Sequence, residues 1–136
     1  GSVIVMINLK TKADENYDAF VLLKDNGKLN SSIHCAYYSA FLLSIYSLCV
    51  RFGYLYEDIQ NNSRGKDSHA YIRNELGNKI HQAKPLDCVE FHTCLGKLKK
   101  ERKKADYSKN LVTNKDVVNI QDTIDKFRDL IITKYI

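Results

Sequence analysis

At 136 residues and 15.7 kDa the chain has the length of one domain, enough to bury an ordinary hydrophobic core. Hydrophobic residues at 44% and charged residues at 27% exclude a disordered tail, while one proline and six glycines exclude collagen-like and Pro-rich chains and leave little turn material for a many-stranded barrel. The net charge of +5 is concentrated in residues 97–104, KLKKERKK, where six basic residues face the single acid Glu101 and the rest of the chain is neutral. The expected class is all-α, a bundle of about five helices.

Residues 1–5, GSVIV, read as an appended or disordered leader ahead of an initiator at Met6, so a single domain is expected over 6–136. No cleavable signal or transit peptide is read after Met6. A first helix is expected over residues 14–24, with Tyr17, Phe20, Val21 and Leu23 as its apolar positions. Asp25-Asn26-Gly27 stops it, because Asn and Gly tolerate the left-handed conformation at a helix C-terminus. A long second helix, capped by Asn30, Ser31 or Ser32, reaches Arg51. Its 22 residues from 29 to 50 carry no formal charge and could span a bilayer by length. Asn30, His34, three tyrosines and five serines load it with polar groups, so the reading is a central helix of a bundle and no membrane contact.

Residues 54–68 are polar and turn-rich and read as an ordered but mobile loop. Asp67 or Ser68 caps a third helix over 69–81, and Pro85 leads into a fourth over 86–109. Thr113 and Asp116 have capping-box spacing before a fifth helix, whose Val117, Ile120, Ile124, Phe127, Ile131 and Tyr135 form one apolar stripe to the C-terminus.

The four cysteines, 35, 49, 88 and 94, form no CxxC pair and read as reduced thiols of a cytoplasmic protein. Cys88, His92 and Cys94 approach a ligand spacing, but zinc takes four ligands and no fourth stands at a supporting distance. No metal and no cofactor is assigned.

Chemistry is concentrated on two helices. On the fourth, Leu95, Leu98, Arg102 and Ala105 share one side, which carries Arg102 towards the bundle or a cleft. Asp106 lies one turn beyond it, at ion-pair spacing. A guanidinium so placed can hold a phosphate with its planar fork; the structural alternative is an Arg102–Asp106 pair tying down the helix end, with Tyr107 in the core. Lys99, Lys100, Arg102, Lys103 and Lys104 form the candidate nucleic-acid or nucleotide-binding patch, against the alternative of a solvated helix face. On the second helix His34 and Tyr38 share a face one turn apart, and His34 is a candidate proton-transfer group beside Arg102.

Residues 31–41, SSIHCAYYSAF, carry paired tyrosines followed by small-x-Phe, and residues 95–108, LGKLKKERKKADYS, end in Arg-x-x-Ala-Asp-Tyr. In that order, across most of residues 13–135, the chain resembles the HEPN superfamily, small helical bundles associated with RNA cleavage, nucleotide binding and prokaryotic conflict systems. The resemblance implies a homodimer with a cleft around Arg102; the candidate catalytic residues are Arg102, Asp106 and His34, and the tyrosine-rich second helix offers apolar surface for the dimer contact. It implies one of two functions. The first is a toxin-like protein of a bacterial toxin–antitoxin or phage-defence system, acting on RNA as a metal-independent endoribonuclease. The second is a non-catalytic nucleotide- or partner-binding module working with a nucleotidyltransferase antitoxin, for which Tyr107 is the candidate modification site. RNA-cleaving members carry a histidine four to six residues after the arginine, and here positions 107–109 are Tyr, Ser and Lys. The one literal match to that spacing, Arg64 with His69, falls in the polar loop, outside the region where the family places it, and is assigned no part.

Overall fold

The computed structural model describes residues 2–136, which form six helices: α1 (Ser2–Asp25), α2 (Leu29–Val50), α3 (Tyr56–Ser63), α4 (Ser68–Ala83), α5 (Pro85–Tyr107) and α6 (Asn114–Lys134). There is no strand among the described residues, so the all-α expectation holds, with six helices in place of five.

The first two helices form an antiparallel hairpin. Asn26 and Gly27 end α1 as the sequence indicates: Gly27 takes φ +74°, and the Lys28 and Gly27 amides return to the Leu23 and Lys24 carbonyls at 2.8 and 3.1 Å. Two boundaries differ from expectation. α1 begins at Ser2 rather than near residue 14, because Leu9 and Ala13 are buried and Val5 and Met6 pack on the core. Residues 2–5 belong to this helix. α2 has no side-chain cap; Asn30 instead accepts the Val112 amide at 3.2 Å and pins the α5–α6 connection to the start of α2.

α2 is the axis of the bundle, in contact with α1, α4, α5 and α6. It is long and apolar enough to cross a membrane by length and composition, and 61% of its most apolar window is buried inside the fold. Its serines are spent on neighbouring backbone: Ser39 donates to the Ala13 carbonyl at 2.8 Å and Ser47 to the Tyr135 carbonyl at 2.6 Å. Of the tyrosines on α2, Tyr37 is buried inside the chain while Tyr38 and Tyr46 stay partly open. Apart from Val50 at its C-terminal end, the exposed large apolar side chains lie outside α2, among them Val3, Ile4 and Ile7 on α1 and Leu86 and Val89 on α5.

The expected loop before α4 contains α3, held by the burial of Ile59. Asp67 caps α4, accepting the amides of His69 and Ala70 at 3.0 and 3.3 Å. Lys84 alone joins α4 to α5, with Pro85 in the first turn of α5, where its missing N–H is harmless. At Gly77 an added Cβ would stand 2.6 Å from His92 Nε2, so this glycine lets the two helices approach. Thr113 and Asp116 form the expected capping box, and the α6 stripe Val117, Ile120, Ile124, Phe127 and Ile131 is buried. Tyr135 closes the bundle by donating to buried Asp87 at 2.6 Å.

Candidate functional site

The site lies where the first half of α2, the N-terminus of α4 and the second half of α5 meet. α2 supplies His34, Tyr37, Tyr38 and Phe41, whose spacing of three and four residues puts them on adjoining faces one to two turns apart. Only Tyr37 is fully buried; His34, Tyr38 and Phe41 keep part of their surface open.

α5 lays Arg102 across the paired tyrosines. Its guanidinium carbon stands 5.2 Å from the Tyr37 ring centre and 5.4 Å from that of Tyr38, within cation–π range of both. Its Nε is 3.4 Å from Asp106 Oδ2, inside ion-pair range but not aligned for a hydrogen bond, so this N–H is buried without an acceptor. Asp106 Oδ2 also lies 3.6 Å from His34 Nδ1, and the His34 ring packs on Tyr38 at 4.7 Å. The three residues the sequence nominates for catalysis, Arg102, Asp106 and His34, are therefore brought together.

A second histidine joins the same aromatic cluster from α4. The Asp67 cap sets His69 in the first turn of α4, where its ring stacks on Phe41 at 4.2 Å and shares a 2.5 Å hydrogen bond between Nδ1 and the Tyr37 hydroxyl. Burial, and then the positive charge of Arg102, push the His69 pKa below its ordinary 6.5, against an upward pull from Asp67. His69 is accordingly neutral at neutral pH. Burial likewise drives the Tyr37 phenol up to about 12, even with Arg102 beside it, so it stays protonated and can exchange a hydrogen bond with the imidazole in either tautomer.

The sequence alone gives His69 no part, because its match with Arg64 points into a loop. Arg64 is exposed and bonds to Asn61 at 3.3 Å; the arginine whose charge bears on His69 is Arg102. The available signal is Asp67, an N-cap that fixes His69 at a helix start rather than in a loop.

The basic segment of α5 divides between faces. Lys99 approaches Asp67 at 3.9 Å beside the site, and Lys103 is exposed. Lys100 lines a separate groove with Glu101 and Lys126 between α5 and α6, and Lys104 is paired to Asp116 at 3.1 Å. Tyr107 is 81% exposed at the end of α5, which removes the alternative that it packs as a core aromatic. Cys88 donates to the Gly77 carbonyl at 3.3 Å, Cys94 is buried and His92 is exposed; no group of three metal-ligating side chains converges among the described residues.

Chemically, the cluster offers a planar cation beside two tyrosine rings that stand edge-on to each other, with one imidazole packed on each of those rings. One imidazole is neutral and bonded to a phenol, and the other is backed by a carboxylate. Such a set can bind a phosphodiester and both take and give a proton. In comparisons with known proteins, no family model, no curated protein and no solved structure matches the chain.

Proposed function

We propose that this is a HEPN-like protein that binds RNA at the Arg102 cleft and cuts it without a metal. The observation that carries the reading is the placement of Arg102 over Tyr37 and Tyr38, the first bonded to His69 and the second packed on His34, with Asp106 beside both Arg102 and His34. Arg102 holds the scissile phosphate and offsets the charge that grows on it. Neutral His69 takes the proton of the neighbouring ribose 2′-hydroxyl, whose oxygen attacks phosphorus. The bond to the 5′-oxygen breaks, and His34, held by Asp106, protonates that leaving group. The products are a 2′,3′-cyclic phosphate and a 5′-hydroxyl. Lys99 and Lys103 add sequence-tolerant attraction for flanking phosphates. The biological setting in this reading is a toxin–antitoxin or phage-defence system, with the protein acting in the cytoplasm as a homodimer.

The test is purified protein with single-stranded and structured RNA in EDTA, wild type beside Arg102→Met, His69→Ala and His34→Ala. Cyclic-phosphate ends from the wild type, and none from Arg102→Met, are expected. A wild-type protein that neither binds nor cuts RNA at low salt overturns the reading.

One observation favours the alternative of a module serving a nucleotidyltransferase: the exposure of Tyr107. Its phenol oxygen would attack the α-phosphate of a nucleoside triphosphate, with pyrophosphate leaving and the phenol proton passing to water. Mass spectrometry of protein co-expressed with such an enzyme, with Tyr107→Phe as control, decides it.

A further inference from the structure

The α4–α5 hairpin carries two features, Arg73 and Gly96, that the cluster around Arg102 does not use. Two contacts fix the register of these antiparallel helices: Gly77 under the His92 ring, and Asp67 against Lys99 at 3.9 Å. By these contacts Arg73 faces the turn of α5 that ends at Gly96. Along α4, His69, Arg73 and Gly77 recur at four-residue steps on one face; along α5, His92, Gly96, Lys99 and Lys103 recur at steps of three and four. Arg73 makes no ion pair among the described residues, although it is half-buried. Its charge is felt both by the Tyr37 phenol at one end of this face and by His92 at the other.

Gly96 has no packing reason to be glycine. A Cβ built there meets nothing within 4 Å, in contrast to Gly77 one helix away. A glycine inside an exposed helix forfeits stability relative to alanine and gains no contact here. What it leaves is bare helix backbone with open space above it, with Lys99 and His92 one turn to either side on α5 and Arg73 across the hairpin by register.

We infer that Arg73, Lys99 and the bare backbone at Gly96 form a second phosphate subsite, which receives the RNA strand after it leaves the Arg102 cleft and leads it along the α4–α5 groove towards His92. This inference rests on the proposed RNA activity and specifies the ligand as a strand several nucleotides long. Four residues of helix separate His69 from Arg73, a rise of about 6 Å, close to one step of an extended strand. Arg73 supplies the planar fork that suits a phosphate, Lys99 a mobile point charge, and Gly96 the space for the backbone of the strand to approach.

The experiment compares a dinucleotide, followed by NMR shifts, with a labelled octanucleotide, followed by anisotropy, both 2′-O-methylated so that they cannot be cut. Arg73→Gln should weaken octanucleotide binding about fivefold and reduce its salt dependence by about one phosphate contact, leaving the dinucleotide unchanged. Gly96→Ala should weaken the octanucleotide about threefold while raising the melting temperature, an opposition that a structural glycine would not produce. Arg102→Met should weaken both lengths. Binding that depends on Arg102 but is indifferent to Arg73 and Gly96 overturns the subsite alone, as does a Gly96→Ala variant that melts lower than wild type. A wild-type protein that binds neither oligonucleotide at low salt removes the subsite and the RNA reading together.

Discussion

Replacing Arg102 with methionine separates a residue held for chemistry from one held for the fold. Methionine has a similar length, fills the space over the two tyrosines and carries no charge. Two cation–π contacts at a partly solvated site are worth about 0.5–1 kcal/mol each, so their loss removes roughly 1–2 kcal/mol. The partly exposed ion pair with Asp106, too poorly aligned for a hydrogen bond, adds about 0–1 kcal/mol. Against this, the buried Nε hydrogen has no acceptor, and removing it recovers about 1–3 kcal/mol of desolvation. Methionine also packs on the aromatic rings in its own right. The terms nearly cancel, and Arg102→Met should lie within about 1 kcal/mol of wild type in urea unfolding read by linear extrapolation. RNA cleavage should nevertheless be lost and RNA binding weakened. A drop of about 3 kcal/mol or more would mean that Arg102 is a structural tie at the end of α5, and the functional argument built on its unpaired nitrogen would fail.

His69 should titrate below 6.5 by NMR, and Arg102→Met should move its midpoint upward without restoring the free value, because burial is the larger cause. Since the unfolded chain takes up this proton first, His69 makes the fold less stable as pH falls below about 6.5; denaturation midpoints of His69→Phe should show a weaker decline there. Tyr135→Phe deletes the 2.6 Å bond to buried Asp87 and should lower stability by about 1.5–3 kcal/mol in urea unfolding. That tyrosine, followed by Lys134, holds Asp87 below 3.8, so its contribution is present above about pH 4 and disappears as pH falls through the lowered value; the variant should lose less to acid than wild type. Gly77→Ala should be nearly neutral, because a helix gain of about 0.5–1 kcal/mol is offset by displacement of the His92 ring. In a His92→Ala background the same change should stabilise by the full helix gain, and a double-mutant cycle without coupling would refute the contact.

How much of this is legible in the sequence depends on the distance over which each feature is decided. Local signals read correctly: the glycine stop of α1, the Asp67 cap, the Thr113–Asp116 capping box and the α6 stripe are all settled within a few residues. The start of α1 is not legible, because VIVMI is rich in β-branched residues with weak helix propensity, and its helix is stabilised by packing against the rest of the fold. α3 is a polar octapeptide with one buried residue, too short to announce itself by periodicity. Asn30 reads as a cap by residue type, yet its amide oxygen goes to Val112, 82 residues away, a bond no local rule can see.

The candidate site divides along the same line. Spacing on α5 places Asp106 one turn from Arg102, and spacing on α2 places His34 beside Tyr38; both pairs exist as contacts within one helix. That the two helices press these pairs together follows from the apolar sides on which they stand, which is the one long-range inference periodicity supports. His69 obeys a different logic. It lies 33 residues before Arg102 in the chain, and nothing in its own neighbourhood marks it except a cap that fixes where α4 begins. Its low pKa is made by Phe41, Tyr37 and Arg102, side chains from two other helices, and exists only once they have docked. A search for an arginine followed closely by a histidine therefore looks for covalent proximity where the fold supplies spatial proximity. The arrangement makes the site's acid–base character a property of the packed bundle: loosening α4 from α2 should return His69 to its ordinary pKa before the helices themselves are lost.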